Sequence, residues 1–370
     1  MFDLHDTAAM TRALLVARRG EGHVEPNPMV GAVVAIRDDA GHQHIISEGW
    51  HASFGGPHAE IMALDAAASR ARDATLFVTL EPCCHHGKTP PCTDAVIAAG
   101  ITRVVIAARD PFPAVAGGGI TALKAAGVLV EVGLLEREAT RLTAPYRRLV
   151  ESGRPWVIAK WAMSLDGVLA TGSCEDRWLS SPASRRLVHE LRGRIDGILI
   201  GIGTVIADNP LLTPRPPGPR TPLRIVLESR ARLPLTSQLA KTAREVPVLV
   251  AVGADAPADR LAALQGVGCE IWTAPRADRP TQLRCLLEEL GSRRHTNLVV
   301  EGGPDVLRSF FGAGLVDEVW TFIAPRIVGG DGRSLPPLPR FPDAPPIEIE
   351  QIDHPGGDIL LRGLTVACRE

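Results

Sequence analysis

The chain has 370 residues, 45% of them hydrophobic and 22% charged, which is ordinary for a globular protein with room for two domains. Its formal net charge of −2 and its 4% aromatic content argue against a nucleic-acid partner, which needs basic surface and stacking platforms. No apolar stretch approaches the roughly 18 residues that span a bilayer, so we expect no membrane partner either.

The first half alternates strands and helices, as layered α/β domains do. The predicted elements are a helix over 3–20, a strand over 30–36, a helix over 59–72, a strand over 75–80, a helix from 91 to 100, strands over 103–108 and 129–132 around a helix over 121–126, and a helical stretch over 134–152. Gly153-Arg154-Pro155 then breaks the pattern. We place the domain boundary there and expect domains over 1–150 and 151–370.

Four residues of the first half form a pattern that is typical of catalytic zinc sites. His58, Cys83 and Cys92 offer one imidazole and two thiolates, which suits a tetrahedral zinc with its fourth position open to water. Glu60 lies two residues after the histidine, close enough to move protons for that water. His-x-Glu with Pro-Cys-x-x-Cys is the signature of zinc deaminases, but here nine positions separate the two cysteines. The pattern indicates a catalytic zinc site with an unusual insertion.

The predicted elements bring these four residues to favourable positions. His58 and Glu60 start a helix, Cys83 follows the end of a strand, and Cys92 starts another helix. Ligands of open α/β sheets bind at strand ends, and helix N-termini help keep thiolates ionised. Two other interpretations stay open. The cysteines could be unligated core residues, or Cys84, His85 or His86 could close a structural zinc site.

A second alternating series follows the boundary. Its predicted elements are a strand over 156–162, a helix over 183–194, strands over 197–202, 224–227, 246–252 and 297–300, a helix from 304 to 312, and a hairpin with its turn at 355–358. No Gly-x-Gly-x-x-Gly motif is present, so a Rossmann dinucleotide site is not expected. Glu301-Gly302-Gly303-Pro304 is a strand-to-helix turn whose N–H groups could hold a cofactor phosphate.

The chain resembles the family of bifunctional riboflavin-biosynthesis deaminase–reductases along nearly its whole length. The motifs of the deaminase half are Pro26-Asn27-Pro28, Gly49-Trp50-His51, His58-Ala59-Glu60, Thr79-Leu80-Glu81-Pro82-Cys83 and the insertion that ends at Cys92. Those of the reductase half are Ser164-Leu165-Asp166-Gly167, Trp178, Ala207-Asp208-Asn209-Pro210 and Glu301-Gly302-Gly303-Pro304. The long insertion is the most specific of them. Cys84 and Asp176 depart from the family, which usually has Ser at the first position and a small hydroxyl residue at the second.

The resemblance implies a fold, a pair of reactions and two cofactors. It implies a cytidine-deaminase-like three-layer α/β/α domain followed by a dihydrofolate-reductase-like α/β domain. Zinc-hydroxide would hydrolytically deaminate 2,5-diamino-6-ribosylamino-4(3H)-pyrimidinone 5′-phosphate. NADPH would then reduce the ribosyl group to ribityl, giving 5-amino-6-ribitylaminouracil 5′-phosphate.

The resemblance also assigns roles to single residues. Glu60 would be catalytic, with one zinc per chain on His58, Cys83 and Cys92. The residues that would bind substrate are Asn27, His51, His85 and Lys88 in the first half, and Lys160, Asp176, Arg192, Leu212, Arg215 and Glu301 in the second. The residues that would bind NADPH are Ala162, Trp178, Thr204, Asp208, Ser229, Gly303 and Pro304.

Three rival functions remain at this point. The first half could act on a nucleoside or a tRNA base, although the acidic pI and the insertion speak against that. The second half could be a degenerate reductase kept for regulation, or the zinc could be structural.

The seven cysteines, an odd number, do not suggest a disulfide framework, and the N-terminus lacks a signal-peptide layout. We therefore expect a cytoplasmic enzyme that acts on a small molecule, and we expect a homo-oligomer.

Overall fold

The computed structural model describes residues 2–38, 41–84, 90–113, 115–169, 178–329 and 345–366. Contacts divide the chain into two units, Met1–Gly153 and Arg154–Glu370. Three residues expected to bind substrate, His85, Lys88 and Asp176, lie outside the described residues. Within the described ranges, no helix is both long and apolar enough to cross a bilayer.

The first unit is built on a five-stranded sheet in the order β2-β1-β3-β4-β5. Its elements are α1 (Leu4–Ala17), β1 (Gly31–Arg37), β2 (Gln43–Trp50), α2 (Ala59–Ala67), β3 (Thr75–Leu80), α3 (Cys92–Ala98), β4 (Arg103–Ala108), α4 (Gly118–Ala125), β5 (Leu129–Val132), α5 (Glu136–Leu142) and α6 (Ala144–Ser152). β1 runs antiparallel to β2 and β3, whereas β3, β4 and β5 are parallel. Cys83 therefore follows the carboxyl end of β3, the central strand of the sheet.

Alternating side chains of this sheet pack against helices on both faces, as the pleat of a strand requires. On one face, Ala32 and Val34 join a core with the apolar sides of α2, α3 and α4. On the other face, Val33 and Ala35 join a core with α1 and α5. This arrangement confirms the three-layer α/β/α fold.

The boundaries of several predicted elements differ in the structure. The helix over 3–20 ends as an α-helix at Ala17 and continues as a 3-10 turn to Gly20. The helical stretch over 134–152 is two helices that meet at Thr143, directly before Ala144-Pro145. A proline there can start a helix but cannot continue one. β2 was not predicted, because most of its side chains are at least partly exposed and the strand lacks the regular alternation of apolar and polar residues.

The second unit is built on a nine-stranded sheet in the order β10-β9-β8-β7-β11-β6-β12-β14-β13. Its elements are β6 (Trp156–Ser164), α7 (Pro182–Arg192), β7 (Gly197–Gly201), α8 (Ile202–Asp208), β8 (Leu223–Leu227), α9 (Gln238–Lys241), β9 (Val248–Val252), α10 (Ala258–Gly266), β10 (Glu270–Thr273), α11 (Arg279–Ser292), β11 (Asn297–Val300), α12 (Pro304–Gly312), β12 (Glu318–Ala324), β13 (Ile347–Asp353) and β14 (Ile359–Thr365). The seven strands from β10 to β12 are parallel, and β14 and β13 complete the sheet in antiparallel pairs.

One large core supports this sheet. The buried faces of α11 and α12 pack against β6, β7, β8 and β11, through Leu286, Leu290, Phe310 and their neighbours. The predicted closing hairpin is present as β13 and β14. The parallel strands β7, β8, β9 and β11 are buried on both sides, which explains their continuous apolar runs in the sequence. The α/β class of the second unit is confirmed.

Candidate zinc centre and cofactor cleft

His58, Cys83 and Cys92 bring their donor atoms together in the first unit. One ligand atom from each residue lies within 4.8 Å of the other two. The Nδ1 atom of His58 is 3.2 Å from the Cys92 sulfur and 3.6 Å from the Cys83 sulfur. One imidazole and two thiolates fit the ligand chemistry of catalytic zinc, which leaves one tetrahedral position for a reacting molecule.

Local structure explains why these three side chains converge. His58 is the N-cap of α2, and Cys92 is the first residue of α3. Cys83 follows β3, and its backbone carbonyl accepts a hydrogen bond from the Thr93 N–H at 3.2 Å. The Cys92 N–H in turn lies 3.4 Å from the Cys83 sulfur. The positive ends of two helices thus face the site, as expected from the sequence, and favour negative charge there.

The two thiols have different acidities. The hydrogen bond from Cys92, with the nearby His58, lowers the pKa of the Cys83 thiol. The same contact with Cys83, together with burial, raises the pKa of Cys92. A second thiolate is therefore unfavourable here unless a cation balances it. A divalent metal supplies that charge, so the donor set fits zinc.

Glu60 lies beside the donor cluster and is almost completely buried, with 3% of its surface exposed. Burial raises the pKa of its carboxyl to about 7. A carboxyl with that pKa exchanges a proton readily near neutral pH, which suits general acid–base catalysis. Glu60 is not among the three residues of the donor cluster.

Asn27 and His51 form a polar pair next to the cluster. The His51 Nδ1 atom lies 2.9 Å from the Pro57 carbonyl oxygen, which can only accept, so this nitrogen carries the proton. The His51 Nε2 atom then accepts from the Asn27 side-chain amide at 3.2 Å. Burial lowers the pKa of His51, and its ring meets that of His58 edge-on at 5.5 Å. The structure therefore brings a neutral imidazole and an amide to the same site.

Sequence reasoning missed the residues that hold the Cys83 segment in place. The Glu81 carboxylate accepts hydrogen bonds from the N–H groups of Gly117 and Ile120, at 3.1 and 3.2 Å, and so caps α4. A Cβ atom at Gly119 would collide with the Pro82 carbonyl oxygen. The first turn of α4 thus packs directly on the segment that leads to Cys83. The glycines at 117–119 were the available signal in the sequence.

The second unit contains a cleft of about 900 Å³, a size typical of small-molecule sites. Every described residue that the sequence assigned to reductase substrate or cofactor binding lines this cleft: Lys160, Ala162, Trp178, Arg192, Thr204, Asp208, Leu212, Arg215, Ser229, Glu301, Gly303 and Pro304. These positions are spread over 145 residues of sequence, from 160 to 304, so the fold brings them together.

An ion-pair cluster with little solvent exposure forms part of the cleft wall. The Arg192 guanidinium binds both carboxylate oxygens of Glu301, at 2.9 and 2.8 Å, and the Lys160 ammonium is 3.7 Å from the same carboxylate. Burial would raise the pKa of Glu301, but these two cations outweigh it and lower the pKa to about 2. Burial also lowers the pKa of Lys160, although Glu301 opposes that effect. The cluster presents fixed charges to whatever binds here.

The Gly302-Gly303 turn lies between β11 and α12. Gly303 is the N-cap of α12, and Pro304 is the first helical residue. A side chain at Gly302 would collide with Val306, whereas the nearest atom to a Cβ at Gly303 is the Thr204 hydroxyl at 3.8 Å. The turn is therefore tight and free of side chains, and N–H groups at such a helix start can hold a phosphate.

Comparison with known proteins matches both units to families. Residues 4–108 match the cytidine and deoxycytidylate deaminase zinc-binding region. Residues 155–361 match the RibD C-terminal domain.

Full-length relatives cover both units together. The chain is 37% identical over 360 residues to the riboflavin biosynthesis protein RibD of Actinobacillus pleuropneumoniae, covering 96% of this chain and 94% of that protein. It is 37% identical to RibD of Escherichia coli K12 over 386 residues, covering 97% and 99%.

Solved structures agree. Acinetobacter baumannii RibD superposes with a TM-score of 0.82 at 33% identity, covering 98% of this chain and 99% of that chain. The diaminohydroxyphosphoribosylaminopyrimidine deaminase/5-amino-6-(5-phosphoribosylamino)uracil reductase of Thermotoga maritima gives 0.79 at 34% identity, covering 97% and 98%.

Proposed function

Because the chain belongs to the bifunctional riboflavin-biosynthesis deaminase–reductase family, we propose specific roles for the residues of its two sites. The enzyme deaminates and reduces a pyrimidine in riboflavin biosynthesis, with a zinc-binding unit and a reductase unit that takes a nicotinamide cofactor. The proposed substrate of the first unit is 2,5-diamino-6-ribosylamino-4(3H)-pyrimidinone 5′-phosphate. The second unit reduces the ribosyl group of the deaminated product to ribityl with NADPH.

In the first unit, His58, Cys83 and Cys92 hold zinc and Glu60 moves protons. The observation that carries this proposal is the close cluster of three donor atoms beside a buried carboxyl whose pKa is about 7. Bound zinc would supply an activated water as the nucleophile. Glu60 is placed to take up a proton and to deliver it to the departing amine, which would leave as ammonia. Asn27 and neutral His51 orient the pyrimidine through hydrogen bonds, and His85 and Lys88 complete the proposed substrate contacts.

In the second unit, the cleft holds NADPH and the aminouracil side by side. The N–H groups at Gly303 and the start of α12 bind the cofactor pyrophosphate, with Ala162, Trp178, Thr204, Asp208, Ser229 and Pro304 along the dinucleotide. Lys160, Arg192 and Glu301 face the ribosylaminopyrimidine, together with Leu212 and Asp176. Arg215 is exposed and forms no hydrogen bond or ion pair within the described residues. Its free guanidinium suits the substrate phosphate.

Replacing Glu60 by Gln tests the deaminase mechanism. The amide keeps the shape of the carboxyl but cannot exchange a proton, so deamination should fall by about 10²–10⁴-fold or more while zinc stays bound. Zinc content, ammonia release, and NADPH oxidation with the deaminated substrate should be measured on one preparation. Asp65→Asn is a matched control, because Asp65 is an exposed carboxylate on the same helix.

Each measurement has a contrary outcome. Near-normal ammonia release would exclude Glu60 as the proton carrier. Loss of zinc would make Glu60 a metal ligand. An equal fall in NADPH oxidation would mean that the two sites are coupled.

A further inference from the structure

The cleft of the second unit contains a second arginine without a partner. Within the described residues that line the cleft, Arg215 and Arg279 are the two guanidinium groups with no hydrogen bond or ion pair. Arg192 pairs with Glu301, Arg232 with Glu228, and Arg185 stacks on Trp178 and donates to Ser180. Arg215 was predicted from the sequence to bind substrate, whereas Arg279 was not predicted to bind a ligand.

Arg279 is held at a defined place in the cleft. It is the first residue of α11, and the N-cap Asp278 accepts a hydrogen bond from the Thr281 N–H at 2.9 Å. The Gln282 amide donates to the carbonyls of Pro275 and Ala277, at 3.2 and 3.1 Å, and so fixes the loop before the helix. The backbone around Arg279 is therefore already ordered before a ligand binds.

Among the residues that the structure describes, no carboxylate forms an ion pair with Arg279. It is half-buried, and burial lowers the pKa of its guanidinium. The nearby Glu228 carboxylate already has other partners, because it accepts hydrogen bonds from the Arg230 N–H at 2.8 Å and from the Arg232 guanidinium. A guanidinium at the cleft surface that pairs with no carboxylate is available to bind an anion through charge-assisted hydrogen bonds.

Position along the sheet identifies the anion. Arg279 shares a recess with Ser229 and Gly253, beyond the ends of β8 and β9, and the Lys160–Arg192–Glu301 cluster does not line that recess. The order β9-β8-β7-β11-β6 puts three to four strand spacings, about 14–19 Å at about 4.8 Å each, between the strand ends at this recess and the strand that carries Lys160. An extended dinucleotide is long enough to bridge that distance. A substrate held at Lys160 is too short for its phosphate to reach Arg279.

We propose that Arg279, with the Ser229 hydroxyl, binds the 2′-phosphate of the cofactor and selects NADPH over NADH. This inference rests on the proposed function of the cleft as the nicotinamide-cofactor site. The planar guanidinium matches two phosphate oxygens at once, and the hydroxyl can donate to a third. NADH lacks that phosphate, so it would leave Arg279 unpaired.

The test compares Arg279→Gln with Arg276→Gln. Arg276 lies three residues earlier, is exposed and pairs with Asp255, so its loss removes the same charge outside the cleft. With the deaminated substrate, Arg279→Gln should raise the KM for NADPH by about 10–100-fold, as expected for lost hydrogen bonds to a charged group. The kcat and the KM for NADH should stay within about twofold, and Arg276→Gln should match the wild type in both.

Calorimetry with fragments gives a readout that does not depend on turnover. Arg279→Gln should weaken binding of 2′,5′-ADP by a similar factor and leave that of 5′-ADP unchanged. Arg279→Lys, which keeps the charge, should recover part of the affinity.

An unchanged NADPH-to-NADH preference in Arg279→Gln would overturn the inference, and so would a rise in the KM for the pyrimidine instead. A wild-type protein that does not discriminate between the two cofactors would also overturn it. If the wild type binds neither cofactor, the proposed function of the cleft fails as well.

Discussion

At the scale of single residues, the adjacent cysteines Cys83 and Cys84 have different environments. A Cβ atom at Gly118 would lie 2.6 Å from the Cys84 sulfur, so that sulfur packs against the start of α4. Cys83, by contrast, belongs to the donor cluster, which does not include Cys84. We therefore treat Cys84 as a neighbour of the zinc ligands and not as one of them.

We predict that Cys84→Ser keeps one zinc per chain and most of the deaminase activity, because a hydroxyl fills nearly the same space against Gly118. Cys92→Ser should lose the metal, since it removes a donor. Metal analysis and ammonia release on both variants check this. The assignment would be reversed by zinc loss in Cys84→Ser together with zinc retention in Cys92→Ser.

The charge of the Glu301 carboxylate affects the stability of the second unit. Its pKa of about 2 in the folded protein lies below its ordinary value of 4.5. The ion pairs with Arg192 and Lys160 therefore contribute fully to the free energy of unfolding above about pH 4.5. This contribution is lost as the pH falls through about 2.

We predict that Glu301→Gln lowers the free energy of unfolding at pH 7 by about 2–4 kcal/mol, because it leaves two mostly buried cations unpaired. The difference from the wild type should narrow as the pH falls below about 4.5. Urea unfolding at several pH values can be followed by tryptophan fluorescence, since five of the six tryptophans, all but Trp50, belong to the second unit. Glu288→Gln is the control, at an exposed position of α11. A difference that is the same at pH 3 and pH 7 would contradict the role of this ion pair.

At the scale of elements, the contact between α4 and the Glu81–Pro82 segment controls the geometry of the zinc ligands. Gly119 permits that contact because its missing side chain leaves room for the Pro82 carbonyl. Glu81 completes it by capping the helix. The helix thus acts as a support for Cys83, although it contributes no donor atom.

We predict that Gly119→Ala weakens zinc retention by about 10–100-fold, the usual effect of disturbing residues that orient metal ligands. The added methyl group must push α4 away from Pro82 and so displace Cys83. Titration with a chelator measures the loss, and NADPH oxidation by the same preparation serves as an internal control. Zinc retention equal to that of the wild type would show that the ligand segment does not depend on α4.

The sequence predicted several short apolar strands well and the amphipathic elements poorly. β3, β4, β5 and β11 have the predicted bounds, because each is a short run of β-branched and apolar residues between turn signals. α11 was missed, since its charged exposed face and its Arg279-Pro280 start resemble a loop. The zinc ligands could be found because their spacing is local. Arg279 could not, because its neighbours Ser229 and Gly253 are far from it in sequence.

At the scale of the whole molecule, each unit has its own sheet and its own hydrophobic core. The large core of the second unit is formed entirely by residues after the boundary, and α6 ends at Ser152 before β6 begins at Trp156. Domains with separate cores can fold independently. The cytoplasmic location and the homo-oligomer remain predictions.

We predict that a fragment of residues 154–370 folds and binds NADPH without the first unit. Circular dichroism and cofactor titration on the purified fragment check this, with the full-length protein as the reference. If the two halves are insoluble when expressed separately and soluble when expressed together, the units share stabilising contacts and are not independent.

The separation of contacting residues along the chain also sets the order in which the two sites can form during translation. The zinc donors span 34 positions, from His58 to Cys92. In contrast, 109 positions separate Arg192 from Glu301, and the side chains of Trp156 and Glu318, which join β6 to β12, are 162 positions apart. Domains generally fold as units from the N-terminus during synthesis. The nascent chain can therefore capture its metal while the ribosome is still making the reductase, and the site for the first reaction is finished before the site for the second.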